Sequence, residues 1–279
     1  MDAAVDNVTE VNVEIAAMWV KPRGDGPAVQ LPLTQTPITV DLLAHSADNA
    51  AILVDEAVIA AASYDWLAMD VNATFDNVFD SYVRTDTGGM EEIRVPSSRV
   101  RLVSGFEVAA NQGAELLFDW DMRLGLVDAP GQLGYILKPA FRMIDVTEFG
   151  ALHGTIAGTT VMDAANQCNA DNMAADFAIG NTIYVFAGLD VKPDDIDGVD
   201  PEPATTVDAV DTDNDGDYEY RTLLAPGDYT IAFTCQAGND LQDTSETGDP
   251  DPTLDTVVFV TSVNQPITGD ADVELNFLN

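Results

Sequence analysis

The densest set of side chains able to do chemistry is Asp211, Asp213, Asp215, Asp217 and Glu219, with Gly216 set among them. Calcium takes six to eight hard oxygen ligands, mostly carboxylates and carbonyls. Asp211, Asp213 and Asp215 fall at positions 1, 3 and 5 of a calcium loop, Gly216 at the turn glycine, and Glu219 at position 9. Position 12, where a bidentate glutamate belongs, is Thr222, and Tyr218 and Tyr220 alternate as a strand where a helix should leave the loop. The helix-loop-helix form of a calcium site is therefore a poor fit. A looser calcium site completed by the acidic stretch around Asp194–Asp200 is one reading. The other is an Asp-Gly turn between two strands, with aspartates capping backbone N–H groups.

Cys168 and Cys235 are the only cysteines, and an even pair in a Cys-poor acidic chain predicts one disulfide and an oxidising compartment. Closing that loop is worth about 4 kcal/mol in the chain-entropy model. Asp119 and Asp121 could form a carboxylate pair, but residues two apart on a strand sit only about 6–7 Å apart on one face. A glycosidase needs its carboxylates across a cleft. Pairing with Lys138 and Arg142 on a neighbouring strand explains them better. His45 and His153 lack zinc-ligand spacing. Ser63, Ser97, Ser98 and Ser104 stand in no Gly-x-Ser-x-Gly elbow. Trp19, Trp66 and Trp120 fall in strand-like runs and are expected in the core, although an exposed set would make a sugar-binding platform. Arg23-Gly24-Asp25 sits between prolines and reads as turn chemistry.

The elements that must position these groups are short strands. Val11, Val13 and Ile15 alternate with Asn12 and Glu14, the period of a half-buried strand. Further strands are predicted at 28–33, 38–43, 64–71, 93–95, 99–103, 106–108, 116–124 and 135–144. Pro139 inside the last marks an edge or a bulge. In the second half they fall at 155–161, 182–187, 218–224, 229–235, 256–261 and 273–278. The Ala-rich stretch 47–62 is the one candidate helix. Asp190–Glu219, with twelve carboxylates, and Asp240–Asp255, with six, read as solvated loops.

The net charge of -37, from 48 acidic and 11 basic residues, argues against a nucleic-acid partner and against an anionic membrane surface. It favours solubility and cationic ligands. Residues 151–279 carry 25 of the acids and two of the bases, so a domain boundary is expected near Gly150. The sequence shows no transmembrane segment. Met1 is followed at once by Asp-Ala-Ala and an early strand, which reads as a start from which a targeting segment has been removed.

The N-terminal half resembles a bacterial cell-envelope family known as domain of unknown function 4382. The resemblance is carried by Asp2-Ala3-Ala4-Val5-Asp6 leading into Val11–Val20, by Val40-Asp41-Leu42-Leu43, and by Tyr64–Val71. Gly105-Phe106-Glu107-Val108, Phe118-Asp119-Trp120-Asp121, and Tyr135-Ile136-Leu137-Lys138-Pro139 with Arg142 complete it. It implies a β-sandwich, often tethered as a lipoprotein, and brings no activity. The family's strand before the Asp-Ala segment is absent, either cut away or supplied by another copy. The second half resembles a carboxypeptidase-regulatory-like or Cna-B-type β-sandwich. There Asp213, Asp215, Gly216, Tyr218, Tyr220, Leu224, Pro226, Gly227, Tyr229 and Ile231 match a hairpin pattern. Such modules are stalks or accessory domains.

The expectation is thus an all-β protein with two β-sandwich (immunoglobulin- or transthyretin-like) domains in tandem, residues 1–150 and 151–279. Its expected role is that of a non-enzymatic exported cell-envelope protein, structural or adhesive, with calcium as the candidate cation. Its expected location is periplasmic or on the outer membrane, with a lipid anchor on the precursor. A carbohydrate- or protein-binding module is the alternative, and a glycosidase-like enzyme a weaker third. An open sheet edge would also admit self-assembly by strand addition.

Overall fold

A computed structural model describes residues 8–45, 49–103, 105–110, 113–128, 134–146, 148–166, 168, 180–196, 201–240 and 257–278. The fold is all-β and sandwich-type, in two compact units that divide after Asp145.

The N-terminal unit is built on one long strand, β1 (Val8–Pro22). After it come β2 (Val29–Leu31), β3 (Ile38–Asp41), β4 (Ala62–Val71), β5 (Tyr82–Thr85), β6 (Met90–Arg94), β7 (Arg99–Leu102) and β8 (Phe106–Val108). Next are β9 (Leu116–Trp120), the helical turn α1 (Met122–Gly125), β10 (Leu126–Asp128), β11 (Tyr135–Leu137) and β12 (Phe141–Asp145). One edge of β1 pairs with β5 along residues 8–12 and with β4 along 15–22; its other edge pairs with β3 and then β2. β7 and β8 extend from β4, and β6, β11 and β10 extend from β5.

Val11, Val13 and Ile15 are buried, as their alternation predicts. A register shift then falls between Ile15 and Ala17 and reverses the phase, so that Met18 and Val20 point inward instead. An extra residue in one strand of a pair does this, because the side-chain period is two.

Three sequence expectations change here. Residues 49–61 form no helix. They are irregular chain in which Glu56 takes a positive φ, and the β-branched Ile52 and Val54 add no helical preference. The run 135–144 is two strands rather than one: Pro139 has no N–H to give a ladder, and β11 and β12 on either side enter different sheets. The run 116–124 ends at Trp120, where Asp121 caps α1 by accepting the Leu124 N–H (3.1 Å).

The C-terminal unit comprises β13 (Gly150–Ile156), the short helix α2 (Gly158–Met162), β14 (Thr182–Ala187), β15 (Thr205–Asp208), β16 (Tyr218–Leu224), β17 (Gly227–Thr234), β18 (Phe259–Ile267) and β19 (Asp272–Glu274). A three-stranded sheet, β16-β13-β19, and a four-stranded sheet, β15-β14-β17-β18, contribute to one core. Leu152, Ile156, Tyr220 and Leu224 come from the first; Ile183, Val185, Ile231 and Phe233 come from the second.

Residues 155–161 are therefore the end of a strand plus a helix. The acidic stretch 190–219 contains a strand, β15. The strand expected at 256–261 runs to Ile267, and that at 273–278 is shorter. β16 and β17 do not pair as a hairpin. They turn a corner at Ala225-Pro226 from one sheet into the other.

Candidate functional site

The acidic turn lies between β15 and β16 and is closed by an isolated bridge between Val210 and Glu219. Asn214 and Gly216 both take positive φ, the left-handed conformation these residue types tolerate. That winding aims backbone N–H groups at the carboxylates. Asp211 accepts from the N–H of Asp215 and of Gly216, both at 3.1 Å. Asp213 accepts from Asp215 N–H at 3.2 Å, and Asp215 from Asp217 N–H at 2.9 Å.

As a result, Asp211, Asp213 and Asp215 each place a carboxylate oxygen within 4.8 Å of the others. Two such charges repel by about 1 kcal/mol even in water. The backbone donors offset part of this, and a hard cation between them would offset more.

The other two predicted ligands are turned elsewhere. Asp217 accepts the N–H of Gly158 at the start of α2 (2.8 Å). Glu219 accepts both the N–H (3.0 Å) and the hydroxyl (2.6 Å) of Thr212. The Asp217 bond ties the turn to α2, and the two Glu219 bonds close the turn on itself. Thr222 is buried on the inward face of β16 with Tyr218, Tyr220 and Leu224, so the twelfth loop position faces the core. Of the acidic stretch expected to complete the site, residues 197–200 lie outside the described residues. So do Ser104, most of the acidic run 240–255, and the Asp-Ala segment at residues 2–6.

Cys168 and Cys235 form the disulfide expected from their number, and both are buried. Asp119 pairs with Arg142 across β9 and β12, at 2.6 Å. That is the structural pairing predicted for it, while Asp121 is spent as a helix cap. His153 Nε2 lies 3.1 Å from Asp272, and His45 Nδ1 lies 2.8 Å from the Asn49 carbonyl oxygen. Arg23-Gly24-Asp25 lies in a turn with Gly24 at positive φ.

The tryptophans divide. Trp120 is buried and donates Nε1–H to the Lys138 carbonyl (3.1 Å). Trp19 and Trp66 are half-buried on the outward side of β1 and β4. The phase reversal in β1 put Trp19 there, and periodicity upstream of it could not have shown this. Trp19 donates Nε1–H to Asp70 (2.8 Å), and Asp70 also holds Arg99 in a two-point ion pair. The Arg99 guanidinium beside it holds the Asp70 carboxyl below the usual carboxylate range.

Residues 1–139 match the family model described as "Domain of unknown function (DUF4382)", which spans all of the N-terminal unit except its last strand. No curated protein matches the chain. No helix among the described residues is long and apolar enough to cross a membrane.

Proposed function

We propose that this protein, whose N-terminal unit matches that family, is a non-catalytic, exported cell-envelope protein with a structural or adhesive role. In this reading its C-terminal unit is a carboxypeptidase-regulatory-like or Cna-B-type accessory domain, ordered by calcium bound at Asp211, Asp213 and Asp215. A lipid anchor on the precursor would tether it. The observation that carries the proposal is the convergence of those three carboxylates within 4.8 Å on a turn wound by Asn214 and Gly216. The disulfide fits an oxidising compartment, where millimolar calcium is also at hand.

The test is a melting curve in calcium, in magnesium and in chelator. Extracellular calcium modules have dissociation constants of about 0.1–1 mM. At 10 mM calcium, a constant of about 0.1 mM gives about 2.7 kcal/mol of added stability. A chain of net charge -37 is also stabilised by any divalent ion through screening, so the comparison that matters is with magnesium and with Asp213→Asn. Calcium should raise the melting temperature beyond magnesium in the wild type and lose that excess in the variant. Equal shifts in both proteins would refute the site.

The alternative, a binding module for a glycan, is favoured by one observation: two indoles lie on an outward sheet face.

A further inference from the structure

Strands β1, β4 and β7 are adjacent, and their register fixes which side chains share the outward face. Trp19 pairs with Ala68 and Lys21 with Trp66 across β1 and β4. Arg101 pairs with Ala68 and Arg99 with Asp70 across β4 and β7. The inward residues between them, Met18, Val20, Leu67, Met69, Val100 and Leu102, are buried. One face therefore gathers Trp19, Lys21, Trp66, Asp70, Arg99 and Arg101. These six side chains carry three cations against one acid, in a chain that has 11 bases and 48 acids, and the next acid on the outward side of β1, Glu14, accepts from the Asn72 side chain.

The single acid is used internally, since Asp70 takes both the Trp19 N–H and Arg99. Arg101 is exposed, lies 4.8 Å over the ring of Trp66, and has no ion pair among the described residues. A guanidinium held over an indole face still has N–H groups to offer a ligand. The planar fork of such an arginine suits two-point binding of a carboxylate.

From this juxtaposition we infer that the β1-β4-β7 face binds a carboxylated polysaccharide, a polyuronate chain. Its sugar rings contact the Trp19 and Trp66 indoles, and its carboxylates contact Arg101 and, at the rim, Lys21. The cations alone would suit any polyanion. The indoles single out a ligand that offers flat C–H faces next to each carboxylate, which a uronate ring does and an acidic peptide does not. The inference is independent of calcium at the C-terminal turn.

The test is affinity electrophoresis of the full chain in gels containing polygalacturonate, with neutral dextran and polyglutamate as comparators. Salt of about 0.15 M shortens the screening length to about 8 Å, so the overall negative charge repels the polymer less at a distance while the contact pair with Arg101 is kept. Polygalacturonate should retard the protein, and the two comparators should not. Trp66→Ala should weaken binding about tenfold or more. Arg101→Lys, which keeps the charge and loses the planar fork, should do the same. Arg101 is exposed, so its variant folds normally and carries the test should Trp66→Ala be unstable. Absence of retardation, equal retardation by polyglutamate, or an Arg101→Lys protein that binds as the wild type would each overturn the inference.

Discussion

Gly158 is where the acidic turn meets the body of the C-terminal unit, and replacing it with alanine tests that contact directly. A Cβ at this position would lie 2.0 Å from the carbonyl oxygen of Gly216, an ångström inside the 3.0 Å that real Cβ atoms keep. The obstacle is backbone, held by the N–H ladder to Asp211 and Asp215. It cannot turn aside as a flexible side chain would. Either α2 or the turn must move by about 1 Å, and the Gly158 N–H bond to Asp217 lengthens with it. Overpacking of this kind costs about 1–3 kcal/mol, and a hydrogen bond to a charged group is worth about 1.5–3 kcal/mol. Removing a glycine from the unfolded chain returns about 0.4–1 kcal/mol. The net loss is about 2–5 kcal/mol, a drop in melting temperature on the order of 10 °C.

All three tryptophans lie in the N-terminal unit, so their fluorescence follows that unit while calorimetry follows both. Gly158→Ala should lower the calorimetric transition of the C-terminal unit and leave the tryptophan midpoint in place. Gly227→Ala is the control, because its Cβ would meet only the Tyr229 ring at an ordinary 3.4 Å. A Gly158→Ala protein that melts like the wild type would refute the close approach and, with it, the clamp on the turn.

Removing the disulfide by the double change Cys168→Ser and Cys235→Ser should cost about 4 kcal/mol, since the bond spans 67 residues; urea unfolding with and without reductant measures it. The pairing of Asp70 with Arg99 stabilises the N-terminal unit above the ordinary carboxylate pKa of about 3.9, and the effect fades as pH falls through the lower folded value. Asp70→Asn should therefore melt lower than the wild type at pH 7 and converge with it toward pH 2. Burial pushes the Tyr220 phenol up, and its O–H donates to the Leu275 carbonyl at 2.6 Å. It should stay protonated at pH 11 in a 295 nm titration while exposed tyrosines ionise. Its contribution to stability is complete below about pH 10 and is lost as pH rises through the folded value.

Residue types and counts alone determined a good deal of this protein. The alternation at Val11, Val13 and Ile15 marked a strand, because a pleated chain turns every second side chain inward. Two cysteines allowed only one pairing, and Asp119 was matched to Arg142 by complementary charge on runs that read as neighbouring strands. The spacing of Asp211, Asp213 and Asp215 was enough to gather them, because a tight turn is a local structure.

Tertiary pairing decided the rest. The bulge before Ala17 exists only against β4, and it sent Trp19 outward when simple alternation would have kept it in. Pro139 split an apolar run because the strands on either side had different neighbours to reach. Leu224 and Gly227 suited a hairpin, yet β16 and β17 found better partners in β13 and β14, in separate sheets. Asp217 and Glu219 left the carboxylate cluster for Gly158 and Thr212. The pattern is physical: period and composition act over a few residues, whereas register and sheet membership are chosen by strands far apart in the chain. The aromatic-cationic face of β1, β4 and β7 belongs to the second kind, since its members come together only when three distant strands align.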